Sequence, residues 1–198
     1  MTRFMAFSFI LLMCSKNISA QEPVIGGPCQ GCEFVFVDIP VQLKTHSTIA
    51  PASEKGESLE LSGTVFKADG TPASGIIVYA YQTDANGKYP KGSTRHGSLR
   101  GWALSDHNGR YGFKTIRPRA YPGRGIPQHI HMHIIEPGKA TYYIDNVTFD
   151  DDPLLTAEHR KKRSCRGGCG ESVPEQNEQG VWLVRRDITL GKAIPNYR

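Results

Sequence analysis

A β-sandwich with long loops and little helix is the fold that this 198-residue sequence predicts, on three observations. Apolar and polar residues alternate over strand-length runs, Gly, Asn and Asp turn signals separate those runs, and no stretch keeps a helical period over three turns. The run LELSGTVFKA (59–68) alternates; ADGTPASG is a turn; IIVYAYQT (76–83) is β-branched and aromatic, as a buried strand requires. DANGKY turns again, HNGRYGFKTI (107–116) gives a turn and a strand, and QHIHMHIIE (128–136) follows. ATYYIDNVTF (140–149) and VWLVRRDITL (181–190) supply two later strands, and the best helical window is a short one at Leu154–Lys162. The segments 21–33 and 44–58 read as loop, and no internal repeat is visible.

Length and a 38% hydrophobic content suit one domain, residues 21–198, after an N-terminal segment of different character. MTRFMAFSFILLMCSKNISA (1–20) has a basic start, an apolar run and a small residue at Ala20, the layout of a secretory signal peptide cleaved near Ala20–Gln21. Its apolar run is too short for a transmembrane segment, and a lipid anchor at Cys14 is the lesser reading, because the preceding residues are not small. The expectation is therefore an exported chain, periplasmic or extracellular. The net charge of +5 lies partly in RKKRSCR (160–166), read as a solvated loop and not as a nucleic-acid surface. Cys29 and Cys32 in CQGC and Cys165 and Cys169 in CRGGC would suit a four-thiolate zinc site, but export favours disulfides, with three connectivities open.

His129, His131 and His133 occupy every second position of one strand and so share a face, with Ile130, Met132 and Ile134 turned to the core. From spacing alone, metal binding and plain packing stay equally open. An oxidised, hard iron would want anionic oxygen donors beside imidazole. Two of the eight tyrosines sit outside alternating strands: Tyr89 follows an Asn-Gly turn, and Tyr121 precedes a proline in a glycine-bracketed loop eight residues before His129.

GTVFKADGTPASGIIVYAYQTDANGKY, RGWALSDHNGRYGFKTIRPRAYP and PQHIHM, in this order, resemble the intradiol ring-cleavage dioxygenases, the family of catechol and protocatechuate 3,4-dioxygenases. The resemblance runs from about Gly63 to Leu155, and the tail RRDITLGKAIPNY is similar to short exported members. It implies an all-β, prealbumin-like sandwich holding non-haem Fe(III) through Tyr89, Tyr121, His129 and His131. It also implies cleavage of a vicinal aromatic diol with O2 to a muconate-type diacid. Tyr121 would stay bound, Tyr89 would be displaced by substrate and take up a proton, and His133 would have a structural or supporting role. Two departures stand out. The family's arginine three residues before the first histidine is Ile126 here, and its glutamine after the histidine strand is Asn146. Arg124, between Gly123 and Gly125, is the expected substitute for the missing charge, and Asn146 keeps an amide. Oligomerisation stays open.

Two other readings compete. A cupin would use GRGIPQHIHMHIIE as a first metal motif, but the only later histidine is His159. A non-catalytic prealbumin-like module would explain the strands and turns but not two tyrosines in register with paired histidines.

Overall fold

The computed structural model describes residues 24–198, so the expected signal peptide (1–20) and Cys14 lie outside the described residues. The strands are β1 (His46–Thr48), β2 (Ser58–Phe66), β3 (Ile77–Gln82), β4 (Arg100–Leu104), β5 (Arg110–Ile116), β6 (His129–Glu136) and β7 (Ala140–Phe149). After these come helix α1 (Ala157–Lys161) and the short strands β8 (Glu171–Ser172), β9 (Glu175–Gln176), β10 (Trp182–Arg185) and β11 (Ile188–Thr189). They form two sheets, one ordered β1-β5-β2-β10-β9 with β11 also on β2, the other β4-β3-β6-β7-β8. The architecture is an all-β sandwich. Among the described residues, no helix is long and apolar enough to cross a membrane.

Alternation builds the core. In β2, Leu59, Leu61 and Val65 are buried, and β5 adds Tyr111 and Phe113. The second sheet faces them with Val78 and Ala80 from β3, Ile130, Met132 and Ile134 from β6, and Ile144 and Val147 from β7. Each large apolar side chain so buried contributes about 1.5–3 kcal/mol. Tyr111 lies in this core, and its hydroxyl donates to the Arg186 carbonyl at 2.6 Å.

The other face of the second sheet is what positions the site. The residues between the core positions, Tyr79 and Tyr81 on β3 and the three histidines on β6, share that face, and register pairs Tyr79 with His133 and Tyr81 with His131. It is covered by the N-terminal segment. Val35, fully buried, packs there with Tyr79, Trp102 and Ile135, and the Trp102 indole N–H donates to the Val35 carbonyl at 2.7 Å. The apolar run EFVFVDIPV is thus a covering segment, with a short 3-10 turn at Cys32–Phe34.

The disulfides are Cys29–Cys32 and Cys165–Cys169, each closing a local loop. VWLVRRDITL, expected as one strand, is split into β10 and β11 at Arg186. Arg186 turns inward and is 4% exposed. Its N–H groups donate to the carbonyls of Asp145, Arg166, Gly167, Gly168 and Asp187 at 2.8–3.4 Å.

Candidate metal centre

Four side chains from three elements converge. The Tyr89 and Tyr121 hydroxyls are 2.5 Å apart, Tyr121 Oη is 3.3 Å from His131 Nε2, and His129 Nε2 is 3.1 Å from His131 Nε2.

Local structure explains each placement. Asp84 accepts from the backbone N–H groups of Asn86 and Lys88 at 2.8 and 2.9 Å, which folds the Asn-Gly turn that delivers Tyr89. The Tyr121 loop is tied to the same turn: Arg119 N–H donates to the Asp84 carbonyl at 3.1 Å, and Thr83 Oγ1 donates to the Arg119 carbonyl at 2.7 Å. Gly87 has a φ of +73°, and a Cβ there would lie 2.1 Å from the Ala120 carbonyl oxygen. Only glycine lets the two loops approach this closely. β6 is anchored at its start by Asp152, which accepts from Gln128 N–H at 2.6 Å.

A β-bulge supplies the next layer. Ile130 pairs with Val147 but Met132 pairs with Ile144, so Asp145 and Asn146 together oppose His131. The bulge sends Asn146 Oδ1 to His131 Nδ1, at 3.1 Å, and leaves Asp145 to accept from the backbone N–H groups of Cys165 and Arg166. His129 Nδ1 lies 2.7 Å from the Pro127 carbonyl. Both partners are acceptors, so each Nδ1 carries its ring's proton and each Nε2 presents a lone pair.

This electrostatic arrangement favours a cation. Burial lowers the proton affinity of His129, and burial together with the His129 charge holds His131 well below the ordinary histidine value, so both rings are neutral near pH 7. Two lone pairs then face each other at 3.1 Å, a separation that no hydrogen bond between them can explain. Two cis donors about 2.1 Å from one ion would be about 3 Å apart. Burial, followed by the hydrogen bond to Tyr121, raises the Tyr89 hydroxyl above its ordinary value, so a bound cation would be needed to hold it as phenolate. The set of two imidazoles and two phenol oxygens therefore fits a hard, oxidised metal ion.

Of the other residues expected at the site, Asn146 is beside His131, whereas Arg124 is exposed in the turn after Tyr121, its backbone N–H 3.3 Å from the Tyr121 carbonyl. Ile126 is 39% exposed. His133 is buried next to Tyr79 and Tyr81, with ring centroids 5.8 and 6.0 Å away. His159 is on α1, with Nδ1 2.9 Å from Thr156 Oγ1, and does not join the strand histidines as a cupin centre would require.

Two clefts meet at the cluster. One of about 250 Å³ is lined by Tyr89, Tyr121, His131, Arg95 and His96. The other, of about 490 Å³, runs past His131, His133, Asn146 and Lys162. Gln30 and Tyr81 line both. Tyr81 stacks between His131 (4.5 Å, 19°) and His96 (3.8 Å, 5°). Arg95 is held at the mouth by Glu33 at 3.6 Å and by the Phe34 ring, 5.0 Å below its guanidinium. No motif in the sequence marks Gln30 or Arg95 as a site residue. Gln30 arrives on the covering N-terminal segment, and Arg95 is held by Glu33 and Phe34 of the same segment, whose course is fixed by tertiary packing.

The dioxygenase family model matches residues 34–166. The chain is 28% identical over 123 residues to the protocatechuate 3,4-dioxygenase beta chain of Burkholderia cepacia, covering 56% of this chain and 52% of that one. It is 32% identical over 147 residues to 6-chlorohydroxyquinol 1,2-dioxygenase of Cupriavidus pinatubonensis, covering 64% and 50%. The chain thus spans about half the length of these curated relatives. Among solved structures, the dioxygenase domain of a dioxygenase carbohydrate-binding protein fusion from Streptomyces sp. SirexAA-E shares the fold, with a TM-score of 0.61 at 22% identity over 77% of this chain and 91% of that one.

Proposed function

Because the chain belongs to the intradiol dioxygenase family, we propose that it cleaves a vicinal aromatic diol with O2 between the two hydroxylated carbons, as a non-haem iron enzyme. The observation that carries this reading is the convergence of two neutral imidazole Nε2 atoms and two phenol oxygens. Tyr89, Tyr121, His129 and His131 would hold ferric iron, a Lewis acid that both diol oxygens could chelate and that would make the ring reactive toward O2. The overall change adds both oxygen atoms of O2 to the ring-opened diacid.

The chain's own residues do the rest. The Pro127 carbonyl and Asn146 fix the histidine tautomers and ring planes. Tyr89 would be the phenol that gives way to the diol and takes up its proton, since burial and Tyr121 favour its neutral form. Arg95, lining the cleft with both tyrosines, meets negative charge on the substrate in place of the arginine that Ile126 replaces. Arg124 faces solvent and is the weaker candidate for that role. The two disulfides support an exported setting.

The test measures iron content, tyrosinate-to-iron colour and O2 uptake on a panel of catechols. The parent should be coloured, with about one iron per chain. His129→Ala and His131→Ala should each lose iron, colour and uptake, whereas a His131→Ala protein with full iron would sink the ligand set. At equal iron loading, Arg95→Ala should lower kcat/KM roughly 10-fold, less than the 10²–10³ typical of a fully enclosed charge, and Arg124→Ala should change it less than about twofold. Iron-loaded parent that consumes no O2 with any diol would favour the non-catalytic module.

A further inference from the structure

Beside the tyrosine–histidine cluster, and separate from it, lies a second group of donors. Cys29 Sγ, Cys32 Sγ and a ring nitrogen of His133 all lie within 4.8 Å of one another. His133 is 3% exposed, and neither of its ring nitrogens has a hydrogen-bond partner. A buried imidazole with both nitrogens unpaired is unfavourable, so its retention calls for a partner. Rings of Tyr79, Tyr81 and His96 surround it at centroid distances of 5.8–6.0 Å and supply no close donor or acceptor to either nitrogen. The polar neighbour that the fold does bring up is the sulfur pair of the CQGC loop, seated by the burial of Val35 on the same sheet face.

We propose that Cys29, Cys32 and His133 form a second metal site, closed in the disulfide form and opened by reduction, which takes a thiophilic d10 cation, Zn2+ or Cu+. A dithiol reductant supplies two electrons and two protons. The Cys29–Cys32 bond breaks, two thiols form, and the reductant leaves as its own disulfide. The cation then displaces both thiol protons to solution and accepts a lone pair from neutral His133. Two thiolates and one imidazole select Zn2+ or Cu+ over the hard ions suited to phenolate. Three donors complete a trigonal Cu+ site, whereas Zn2+ would take water as its fourth ligand from the 490 Å³ cleft that His133 lines. Adjacent same-face residues of β6, His131 and His133, would thus serve metals of opposite character. Occupancy of the second site would hold Gln30 over the first.

The inference does not depend on the diol reading, and it is tested on iron-loaded full-length protein. After treatment with a dithiol and anaerobic removal of the reductant, the protein is titrated with Zn2+ and, in a parallel arm, with Cu+. One equivalent of either ion should bind beyond iron, with none in the unreduced protein, and the arm with the higher affinity identifies the ion. Co2+ as a spectroscopic stand-in for Zn2+ should give a thiolate charge-transfer band. Cys29→Ser/Cys32→Ser should abolish binding, Cys165→Ser/Cys169→Ser should leave it unchanged, and His133→Asn should weaken it at least 10-fold while retaining the iron colour. X-ray absorption of the loaded parent should show two sulfur ligands at about 2.3 Å and a nitrogen, a reading that survives even if the His133 variant fails to fold. Two free thiols at Cys29 and Cys32 with no added metal bound would overturn the proposal. So would a bound ion without imidazole in its shell.

Discussion

The two disulfide loops have the same covalent chemistry and nearly the same length, yet their surroundings differ. The Cys165–Cys169 loop is saturated. Asp145 accepts two of its backbone N–H groups, and the buried Arg186 guanidinium binds carbonyls of Arg166, Gly167 and Gly168. The Cys29–Cys32 loop rests instead against an imidazole with no hydrogen bond and presents Gln30 to both clefts. Loop closure of four or five residues stabilises by about 2 kcal/mol in either case. The difference therefore lies in what else holds each loop. One is tied to distant elements by Asp145 and Arg186, whereas the other is held mainly by local bonds, such as Gly31 N–H to Glu33 Oε2 at 3.0 Å and Phe34 N–H to the Gly31 carbonyl at 3.0 Å, and borders the site with Gln30.

The most damaging way to break this contrast is to remove Arg186. Arg186→Met should cost about 3–5 kcal/mol, because several buried carbonyls lose a charged donor at once. Denaturant unfolding measures it, and a loss under about 1 kcal/mol would mean that the clasp is not what holds the loop. A milder cut compares the two loops directly. Serine pairs at 29/32 and at 165/169 should each lower stability by about 2 kcal/mol, but the 29/32 pair should alter KM more, since Gln30 lines the cleft that holds both tyrosines, whereas the 165/169 loop reaches, through Cys169, only the other cleft. Equal KM values in the two variants would remove the link between the CQGC loop and the site.

The smallest expected effect is a pH dependence at His96, which packs under the CQGC loop so closely that a Cβ on Gly31 would lie 2.8 Å from its Nε2. Burial lowers its pKa from 6.5 to about 4, with Arg95 and Arg100 adding to the shift and Glu33 opposing it. The Tyr79 hydroxyl, 2.9 Å from His96 Nδ1, matches the neutral ring. Between those two pH values the unfolded chain holds a proton that the folded chain does not, so this contribution is complete above pH 6.5 and is lost as pH falls toward 4. The loss between pH 6.5 and 5.5 should be about 1 kcal/mol. His96→Gln should flatten that slope, and an unchanged slope would show that the imidazole titrates normally.

Much of this fold is legible in sequence because a two-residue period reports burial directly. β3, β5, β6 and β7 fall within the runs that alternate or concentrate β-branched residues, β2 starts one residue before its run, and α1 falls within its short window, whereas β1 lies in the 44–58 stretch read as loop. β4 (RGWAL) carries no such signal, being a five-residue strand with a glycine in it. The tail splits at Arg186 because a charged side chain turns into the interior, satisfied by carbonyls scattered along the chain. At the site, Tyr89, Tyr121, His129 and His131 are marked by turn and strand motifs, and the structure gathers them. The charge at the mouth is not marked, because Arg95 owes its position to Glu33 and Phe34, more than sixty residues away.

Gly87 supplies none of the four converging side chains, yet it governs how much change the site can absorb. The turn that ends at Tyr89 and the loop that ends at Tyr121 are back to back, separated by a gap too narrow for a methyl group. Any side chain there would wedge the two phenols apart together, a lesion that no compensating change at either tyrosine could repair. The hydrogen atom at this position therefore constrains the site as closely as the phenol oxygens it keeps in register.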